Sequence, residues 1–306
     1  MTPDMSVGTF TVSGMGIRLS GFTYDRVAVG DVRLNVATAG SGPPIVLLHG
    51  FPQTHLVWRH VAADLARDHR VICLDLRGYG NSDKPVDDGA AYTKRTYADE
   101  IVELMRSLGH LRFALAGHDR GGLIAFRAGL DHPDAISHLA ILDVLPAADM
   151  WATLHGTAGV FAFHLYLLAQ PTDLAERMIR ADPDLFFGHF LDGWSRTPGA
   201  IPPDIRAEYL AAASDPDAIR ALCADYRASA QIDNVHDEAD RAAGRRLTMP
   251  VTALWQDPGA ATLPFDPAAI WSEWAPDLRT EAVQCGHFLP EEAPTAVITA
   301  LRNLID

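Results

Sequence analysis

The stretch FALAGHDRGGLIAF, residues 113–126, decides the fold because it passes from an apolar, strand-like run into a helical run through a glycine-flanked turn. Asp119 stands at the centre of this turn, and Gly117 and Gly121 complete the pattern G-x-D-x-G. Such a turn is so tight that the residues two before and two after its centre approach each other, and glycine avoids a clash of Cβ atoms. The pattern therefore predicts a strained central residue whose side chain projects above the end of a strand.

The chain on both sides of this turn alternates short apolar runs with longer amphipathic ones, which is typical of a parallel sheet covered by helices. Two earlier runs, residues 24–29 and 32–37, predict an antiparallel hairpin that precedes the parallel strands. Helices are predicted over residues 57–67 and 96–108, where apolar residues recur at helical spacing. The parallel strands are predicted at residues 44–48, 71–76, 113–116, 140–142 and 251–255. The fold class is thus α/β, with a mostly parallel sheet and helices on both faces.

The alternation breaks between residues 146 and 246, where the chain is rich in alanine and punctuated by prolines. We interpret this stretch as a helical lid inserted between two strands of the sheet. The predicted domain organisation is a core in two parts, residues 1–145 and 247–306, with the lid formed by residues 146–246.

Composition limits the classes of partner. With 306 residues, 48% of them hydrophobic and 21% charged, the chain is an ordinary globular protein with one large core. A formal net charge of −14 disfavours nucleic acids and anionic membranes as partners. Residues 1–20 lack a secretory signal pattern and no window reaches the length of a membrane span, so a cytoplasmic location is expected. The predicted partner is a small-molecule substrate, and a homodimer is left open.

No cofactor or metal ion is expected. The three cysteines have unrelated spacings that suggest neither a disulfide framework nor a metal site, and Cys73 lies in an apolar run typical of a buried residue. The glycine-rich segments lack the lysine or acidic partner that a nucleotide or flavin site requires.

Two further motifs accompany the turn. The tetrapeptide HGFP, residues 49–52, directly follows a predicted strand, where a hydrolase of this architecture places half of its oxyanion hole. Near the C-terminus, His287 follows a short strand-like run. It comes after Asp119, the candidate nucleophile, and after a candidate acid, which is the chain order of hydrolases with this architecture. Taken singly, an HG turn is an ordinary connection, and a lone histidine is usually an ordinary residue. Together with Asp119 they indicate a hydrolase.

With these motifs, the chain resembles the haloacetate and fluoroacetate dehalogenases of the α/β-hydrolase fold, and epoxide hydrolases are related enzymes. The resemblance covers roughly residues 24–301. It rests on the motifs HGFPQT at 49–54, GHDRG at 117–121, LD at 142–143, LAQP at 168–171, DYRA at 225–228 and GHFLPEE at 286–292.

The resemblance implies a covalent mechanism. A carboxylate, Asp119, would attack an sp³ carbon that bears a leaving group and form an ester. His287 would then activate a water that hydrolyses the ester, while the backbone N–H groups of Phe51 and Arg120 hold the oxyanion. A serine nucleophile would give an ether that water could not cleave, so aspartate at this position indicates opening of a carbon–halogen bond or an epoxide.

Two residues compete as the acid that orients His287. Asp143 follows the predicted strand after the nucleophile, 24 positions beyond Asp119, where the haloacetate dehalogenases carry theirs. Asp257 follows a later strand, as in most epoxide hydrolases, but the spacing there fits that pattern poorly. We favour Asp143.

The chain departs from the family at two positions. Arg120 corresponds to an arginine that binds the substrate carboxylate in the family, but Leu123 replaces the second arginine that does so. In the halide site, His164 is kept and Leu165 replaces a tryptophan N–H donor. Both Leu123 and Leu165 are therefore expected to make the pocket more apolar. Fluoride is a poor, strongly hydrated leaving group, so defluorination in particular should suffer.

Three lid residues complete the predicted pocket. Tyr226 matches the lid tyrosine and could donate a hydrogen bond to a departing halide or an epoxide oxygen. Trp194 is a candidate pocket wall. Tyr166 is either a second donor or an aromatic packed near Phe163.

The first functional hypothesis is therefore a hydrolytic dehalogenase of short 2-halo acids. The alternative is an epoxide hydrolase that uses the same machinery. A catalytically inactive ligand receptor is a third hypothesis, which the intact set of Asp119, Asp143 and His287 disfavours.

Overall fold

The computed structural model describes residues 10–13, 16–86, 89–257, 259 and 263–306. Most of residues 1–20, the stretch expected to lack a secretory signal, and Pro258 beside Asp257 lie outside the described residues. The strands are β1 (Phe10–Ser13), β2 (Gly16–Leu19), β3 (Thr23–Val29), β4 (Val32–Ala39), β5 (Pro44–Leu48), β6 (Arg70–Leu74), β7 (Phe113–His118), β8 (Ile136–Leu142), β9 (Val251–Gln256) and β10 (Leu278–Val283).

Helices of varied length connect and cover these strands. They are α1 (Arg59–Leu65), α2 (Lys94–Ser107), α3 (Arg120–Asp131), α4 (Ala147–Thr153), α5 (Thr157–Phe161), α6 (Phe163–Leu168), α7 (Leu174–Ala181), α8 (Pro183–Gly193), α9 (Pro203–Ala213), α10 (Pro216–Ala228), α11 (Asn234–Ala242), α12 (Pro267–Trp274), α13 (Leu289–Glu292) and α14 (Pro294–Ile305). Among the described residues, no helix is long and apolar enough to cross a membrane.

Eight strands form one sheet in the order β10-β9-β8-β7-β5-β6-β4-β3. The pairs from β10 to β6 are parallel, whereas β4 pairs antiparallel with both β6 and β3. The predicted mostly parallel sheet and its preceding hairpin are therefore confirmed. The small β1–β2 hairpin was not predicted, although its strands, FTVS and GIRL, alternate apolar and polar residues over four positions each.

The central strands are buried on both faces, which explains their nearly continuous apolar sequences. In β5 and β7 every residue except Pro44 is buried, and Cys73 in β6 is buried as expected. The strand β7 continues to His118, two residues beyond the predicted end, because Gly117 and His118 still pair with β8. The predicted helix over residues 57–67 is shorter, since a 3₁₀ turn at His55–Trp58 precedes α1.

The chain between β8 and β9 contains the helices α4 to α11 and no strand, in agreement with the predicted helical character of residues 146–246. The division into a core and a lid that acts as a separate unit stays a prediction. A buried ion cluster joins this segment to α3, the helix that follows Asp119. Arg127 of α3 donates to Asp237 at 2.6 Å and to Asp240, both on α11, and all three side chains are buried.

We expect Arg127→Met to lower the free energy of unfolding by about 3–5 kcal/mol, because it leaves the buried carboxylates of Asp237 and Asp240 without their shared partner. Arg106 forms an exposed ion pair with Glu103 and provides the control. Arg106→Met should change the free energy by less than about 0.5 kcal/mol. Urea unfolding of both variants checks this, and equal effects would contradict a role for the cluster.

Candidate active site

Asp119 lies between β7 and α3 with φ 50° and ψ −118°, a strained conformation for a residue other than glycine. A Cβ atom on Gly117 would come within 2.1 Å of the carbonyl oxygen of Gly121, and one on Gly121 within 2.5 Å of the carbonyl oxygen of Leu48. The two glycines of the motif thus permit the close approach expected from the sequence. The turn places the Asp119 carboxylate above the carboxyl ends of the parallel strands.

The loop after β5 contacts this carboxylate directly. The backbone N–H of Phe51 donates to Asp119 Oδ1 at 2.7 Å. Gly50 must be glycine, because a Cβ there would lie 2.5 Å from both Cβ and Oδ1 of Asp119. Arg120 is the first residue of α3, and the first N–H groups of a helix have no partner within it. Both predicted oxyanion donors are therefore adjacent to the nucleophile in the chain or in space.

His49 holds the same loop in place. Its Nε2 accepts from the backbone N–H of Leu76 at 3.0 Å, so its Nδ1 carries the proton and donates to the carbonyl of Gly50, also at 3.0 Å. Burial lowers the pKa of His49 to about 4, so the ring stays neutral. His49 therefore supports the loop, and Phe51 is the residue of the loop whose backbone N–H contacts Asp119.

The structure brings His287 and Asp143 together. Asp143 Oδ2 accepts from His287 Nδ1 at 2.6 Å, and Asp143 also accepts from the backbone N–H and the side-chain amide of Gln256 at 2.9 and 2.8 Å. The competing residue, Asp257, instead accepts from the backbone N–H of Gly259 at 2.9 Å. The geometry supports Asp143 as the orienting acid.

Opposing effects determine the pKa of His287. Burial by itself lowers it, but the hydrogen bond and charge of Asp143, together with the charge of Asp119, outweigh burial and raise the pKa above its ordinary value. Within the described residues, His287 Nε2 is buried and has no hydrogen-bond partner. Its second nitrogen is therefore available to take a proton from a water.

The backbone of His287 is held from two sides. His118 Nε2 donates to the His287 carbonyl at 2.7 Å, and the His287 N–H donates to the carbonyl of Trp194 at 3.0 Å. Burial lowers the pKa of His118 to about 4, so it acts as a neutral donor. The rings of His118 and Trp194 also pack on the imidazole, with centroids 4.7 and 4.9 Å away.

Glu292 organises the same region and was given no role from the sequence. Its Oε2 accepts from the backbone N–H groups of Gly286, Arg196 and Thr197 at 2.7–3.0 Å, and its Oε1 from that of Phe288 at 3.0 Å. One carboxylate thus ties the histidine loop to the segment after Trp194. The signal for this role was a second consecutive glutamate in the otherwise apolar motif GHFLPEE.

The guanidinium of Arg120 is engaged in a way that the sequence did not predict. Its Nε and Nη2 donate to the two carboxylate oxygens of Asp225 at 2.8 and 2.9 Å, and the group lies over the ring of Tyr226, 4.2 Å from its centroid. Lys94 also donates to Asp225. Arg120 lines the cavity described next and was expected to bind a substrate carboxylate there. Its Nε and Nη2, however, already bind the carboxylate of Asp225.

A cavity of about 610 Å³ joins the predicted side chains. It is lined by Asp119, Arg120, Asp143, His164, Trp194, Tyr226 and His287. Phe51 is not part of the lining, although its ring stacks on His164 with centroids 6.0 Å apart. Leu165 lines the cavity, whereas Leu123 is buried and does not. The expectation that Leu123 makes the pocket more apolar is therefore wrong, because Leu123 does not contribute to the lining.

The lid residues differ in their surroundings. Burial lowers the pKa of His164 to about 3, so its ring is neutral, and burial raises the pKa of Tyr226 well above its ordinary value, so the phenol stays protonated. Both can donate a hydrogen bond into the cavity. Tyr166 is exposed, its hydroxyl donates to the Leu154 carbonyl, and its ring contacts Trp151, with the two ring centroids 5.4 Å apart, rather than the expected Phe163. The described residues contain no group of three or more acidic, histidine or cysteine side chains arranged as metal ligands.

Comparison with known proteins agrees with this architecture. A family model for the α/β-hydrolase fold matches residues 43–294. The chain is 40% identical to a fluoroacetate dehalogenase from a Burkholderia species, over 93% of this chain and 94% of that protein. It is 35% identical to a soluble epoxide hydrolase from Corynebacterium sp. (strain C12), over 92% and 96% of the two chains.

A solved structure shares the whole architecture. The crystal structure of Cfl2 from Burkholderia cenocepacia superposes with a TM-score of 0.85 at 30% identity and covers 96% of this chain and 98% of that one. Together, the family match and the relatives span most of the sequence, including the turn at Asp119 and the loop at His287. The chain therefore belongs to the α/β-hydrolase-fold family and is an enzyme of its hydrolase class, similar to dehalogenases and epoxide hydrolases.

Proposed function

We propose that this enzyme is a hydrolytic dehalogenase of 2-halo acids that works through an ester on Asp119. The observation that carries the proposal is the carboxylate at the strained turn, which has one oxygen bonded to the N–H of Phe51 and lies in a cavity with the His287–Asp143 pair. The 40% identity to a fluoroacetate dehalogenase supports the same reaction class.

The contact with Phe51 distinguishes the two oxygens of the nucleophile. Oδ1 already occupies the position of the oxyanion, so Oδ2 attacks the carbon that bears the halogen. The carbon–halogen bond breaks, the halide leaves with the bonding electrons, and an ester joins Asp119 to the substrate carbon. His164 and Tyr226 are neutral donors in the same cavity and hydrogen-bond the departing halide.

The second step returns the enzyme to its starting state. His287 Nε2 takes a proton from water, and the resulting hydroxide attacks the carboxyl carbon of Asp119. The N–H groups of Phe51 and Arg120 bind the oxyanion of the tetrahedral intermediate. When the intermediate collapses, the bond to the substrate oxygen breaks, and that oxygen takes the proton from His287 to give the 2-hydroxy acid. The carboxyl group left on Asp119 loses its proton to solvent, which restores the carboxylate. Because esterification removes the negative charge of Asp119, one of the influences that raise the pKa of His287 disappears when its neutral form is needed.

An epoxide hydrolase is the second candidate, and the Arg120–Asp225 pair favours it. A carboxylate substrate needs a cation in a protein of net charge −14, yet Nε and Nη2 of Arg120 are bonded to Asp225. An epoxide needs no such cation, and the protonated Tyr226 would donate to its opening oxygen. The 35% identity to an epoxide hydrolase agrees with this alternative.

The test of the mechanism is a single turnover with enzyme in excess in ¹⁸O-labelled water, with chloroacetate as substrate. Label should enter the Asp119 carboxylate, because water attacks the ester at the enzyme carbon. His287→Gln should accumulate the ester as a mass increase with a burst of chloride, since alkylation does not require the base. Turnover without label in the Asp119 peptide would exclude the covalent mechanism.

Asp143→Asn should lower kcat by roughly 10²-fold or more, through loss of the orienting bond to His287. It also removes influences that raise the pKa of His287 while burial remains, so the acid limb of the kcat–pH profile should move to lower pH. Asp257→Asn is the matched control and should leave both kcat and the limb nearly unchanged. The reverse ranking of the two variants would assign the acid to Asp257.

Chloroacetate and bromoacetate should be processed far better than fluoroacetate, because Leu165 supplies no donor for fluoride. Leu165→Trp should raise fluoroacetate turnover more than chloroacetate turnover, since a donor to a developing charge contributes on the order of 2–4 kcal/mol in the transition state. Leu165→Phe adds bulk without an N–H and is the control. The measurement is the rate of fluoride and of chloride release by each variant. Equal rates of defluorination and dechlorination in the unmodified enzyme would contradict the role assigned to Leu165.

A further inference from the structure

The cavity is much larger than the proposed reaction requires. At about 610 Å³ it lies in the range that holds drug-sized ligands, whereas a haloacetate is a two-carbon acid. The groups with chemical roles, Asp119, Arg120, His164, Tyr226 and His287, account for only part of the lining. The remaining volume has no function in the mechanism as described so far.

The order of strands shows where this volume lies. The nucleophile follows β7, with β5 and the Phe51 loop on one side of it and β8 and then β9 on the other. Leu145 follows β8, Leu254 lies within β9, and both line the cavity. Neighbouring strands are about 4.8 Å apart, so the lining extends roughly 10 Å from the nucleophile, away from the oxyanion donors.

Apolar side chains from two helices complete this end of the cavity. Met150 and Leu154 come from α4 and its C-terminal end, and Trp271 comes from α12. We call the part of the cavity lined by Leu145, Met150, Leu154, Leu254 and Trp271 the apolar arm. All of these except the half-buried Leu154 are buried.

The polar groups of Trp271 and Asp143, beside the arm, already have hydrogen-bond partners. The indole N–H of Trp271 donates to the carbonyl of Val144 at 3.1 Å, and its ring packs edge-on against Phe126. Asp143 accepts three hydrogen bonds, one from His287 and two from Gln256. The arm therefore offers an ordered apolar surface, on which water finds few partners and an apolar group is favoured.

We propose that the apolar arm binds an apolar alkyl or aryl substituent on the carbon that Asp119 attacks. This inference rests on the proposed function and deepens it. The preferred substrate is then a 2-halo acid with a side chain of several carbons, and haloacetate itself leaves the arm empty. The polar end holds the leaving group and carboxylate, while the arm selects the substituent. Bound in this way, the substituent directs the reacting carbon toward Asp119 Oδ2.

The first test is a series of single-enantiomer substrates: chloroacetate, 2-chloropropanoate, 2-chlorobutanoate and 2-chlorohexanoate, with chloride release measured. Each methylene that enters the arm should raise kcat/KM by about fourfold, until the arm is filled. A parallel series of terminal epoxides of increasing chain length, followed by diol formation, should show the same trend if the enzyme opens epoxides.

Substitutions within the arm give the second test. Met150→Trp should remove most of the advantage of 2-chlorohexanoate and leave chloroacetate turnover within about twofold. Ala152→Trp places the same side chain at an exposed position of α4 and is the matched control. Leu154→Phe, at a half-buried position, is a milder variant should Met150→Trp not fold, and chloroacetate turnover reports folding in every variant.

The outcomes separate the two proposals. A rise in kcat/KM with chain length that Met150→Trp or Leu154→Phe abolishes supports the arm. Chloroacetate turnover with no gain, or a loss, for longer acids overturns the arm and leaves the dehalogenase proposal standing. No halide release and no diol from any substrate overturns both. Equal effects of the arm variants on chloroacetate and 2-chlorohexanoate would show that the residues do not contact the substituent.

Discussion

The site depends on the close contact between Asp119 and the loop after β5. The Phe51 N–H lies 2.7 Å from Oδ1, and Gly50 leaves room for the carboxylate that any larger residue would displace. This contact requires the left-handed backbone of Asp119, which in turn requires glycine at 117 and 121. Such strain is of the order of 1–3 kcal/mol and persists because the sheet and α3 hold both ends of the turn.

A second constraint is that buried charges need partners. Arg120 shares Asp225 with Lys94, and Asp143 is surrounded by three donors. The Glu292 carboxylate accepts hydrogen bonds from four backbone N–H groups. An unpaired buried charge costs several kcal/mol, so each of these pairings holds its neighbours in one geometry. The position of His287 thus follows from a network that reaches into the helical segment through the carbonyl of Trp194.

Short motifs with strict steric or chemical demands could be predicted from the sequence. The tight turn leaves almost no freedom at Gly117 and Gly121, and the strand-to-helix pattern around residues 113–126 is local, so the parallel architecture and the position of Asp119 could be inferred. The side chains around Arg120 could not. Its partner Asp225 is 105 positions away, and nothing in the local pattern states which carboxylate a buried guanidinium meets.

The sequence by itself determined the fold class, the carboxylate in place of serine at the tight turn and the chain order of Asp119, Asp143 and His287, because these depend on local backbone geometry and residue chemistry. Only the tertiary structure decided that Asp143 rather than Asp257 contacts His287, that Leu123 lies outside the cavity and that an apolar arm extends past β8 toward β9. Such relations depend on how strands are ordered in the sheet and on where helices α4 and α12 pack. Both bring together residues that are far apart in the chain, and no periodic pattern along the sequence predicts which of them come into contact.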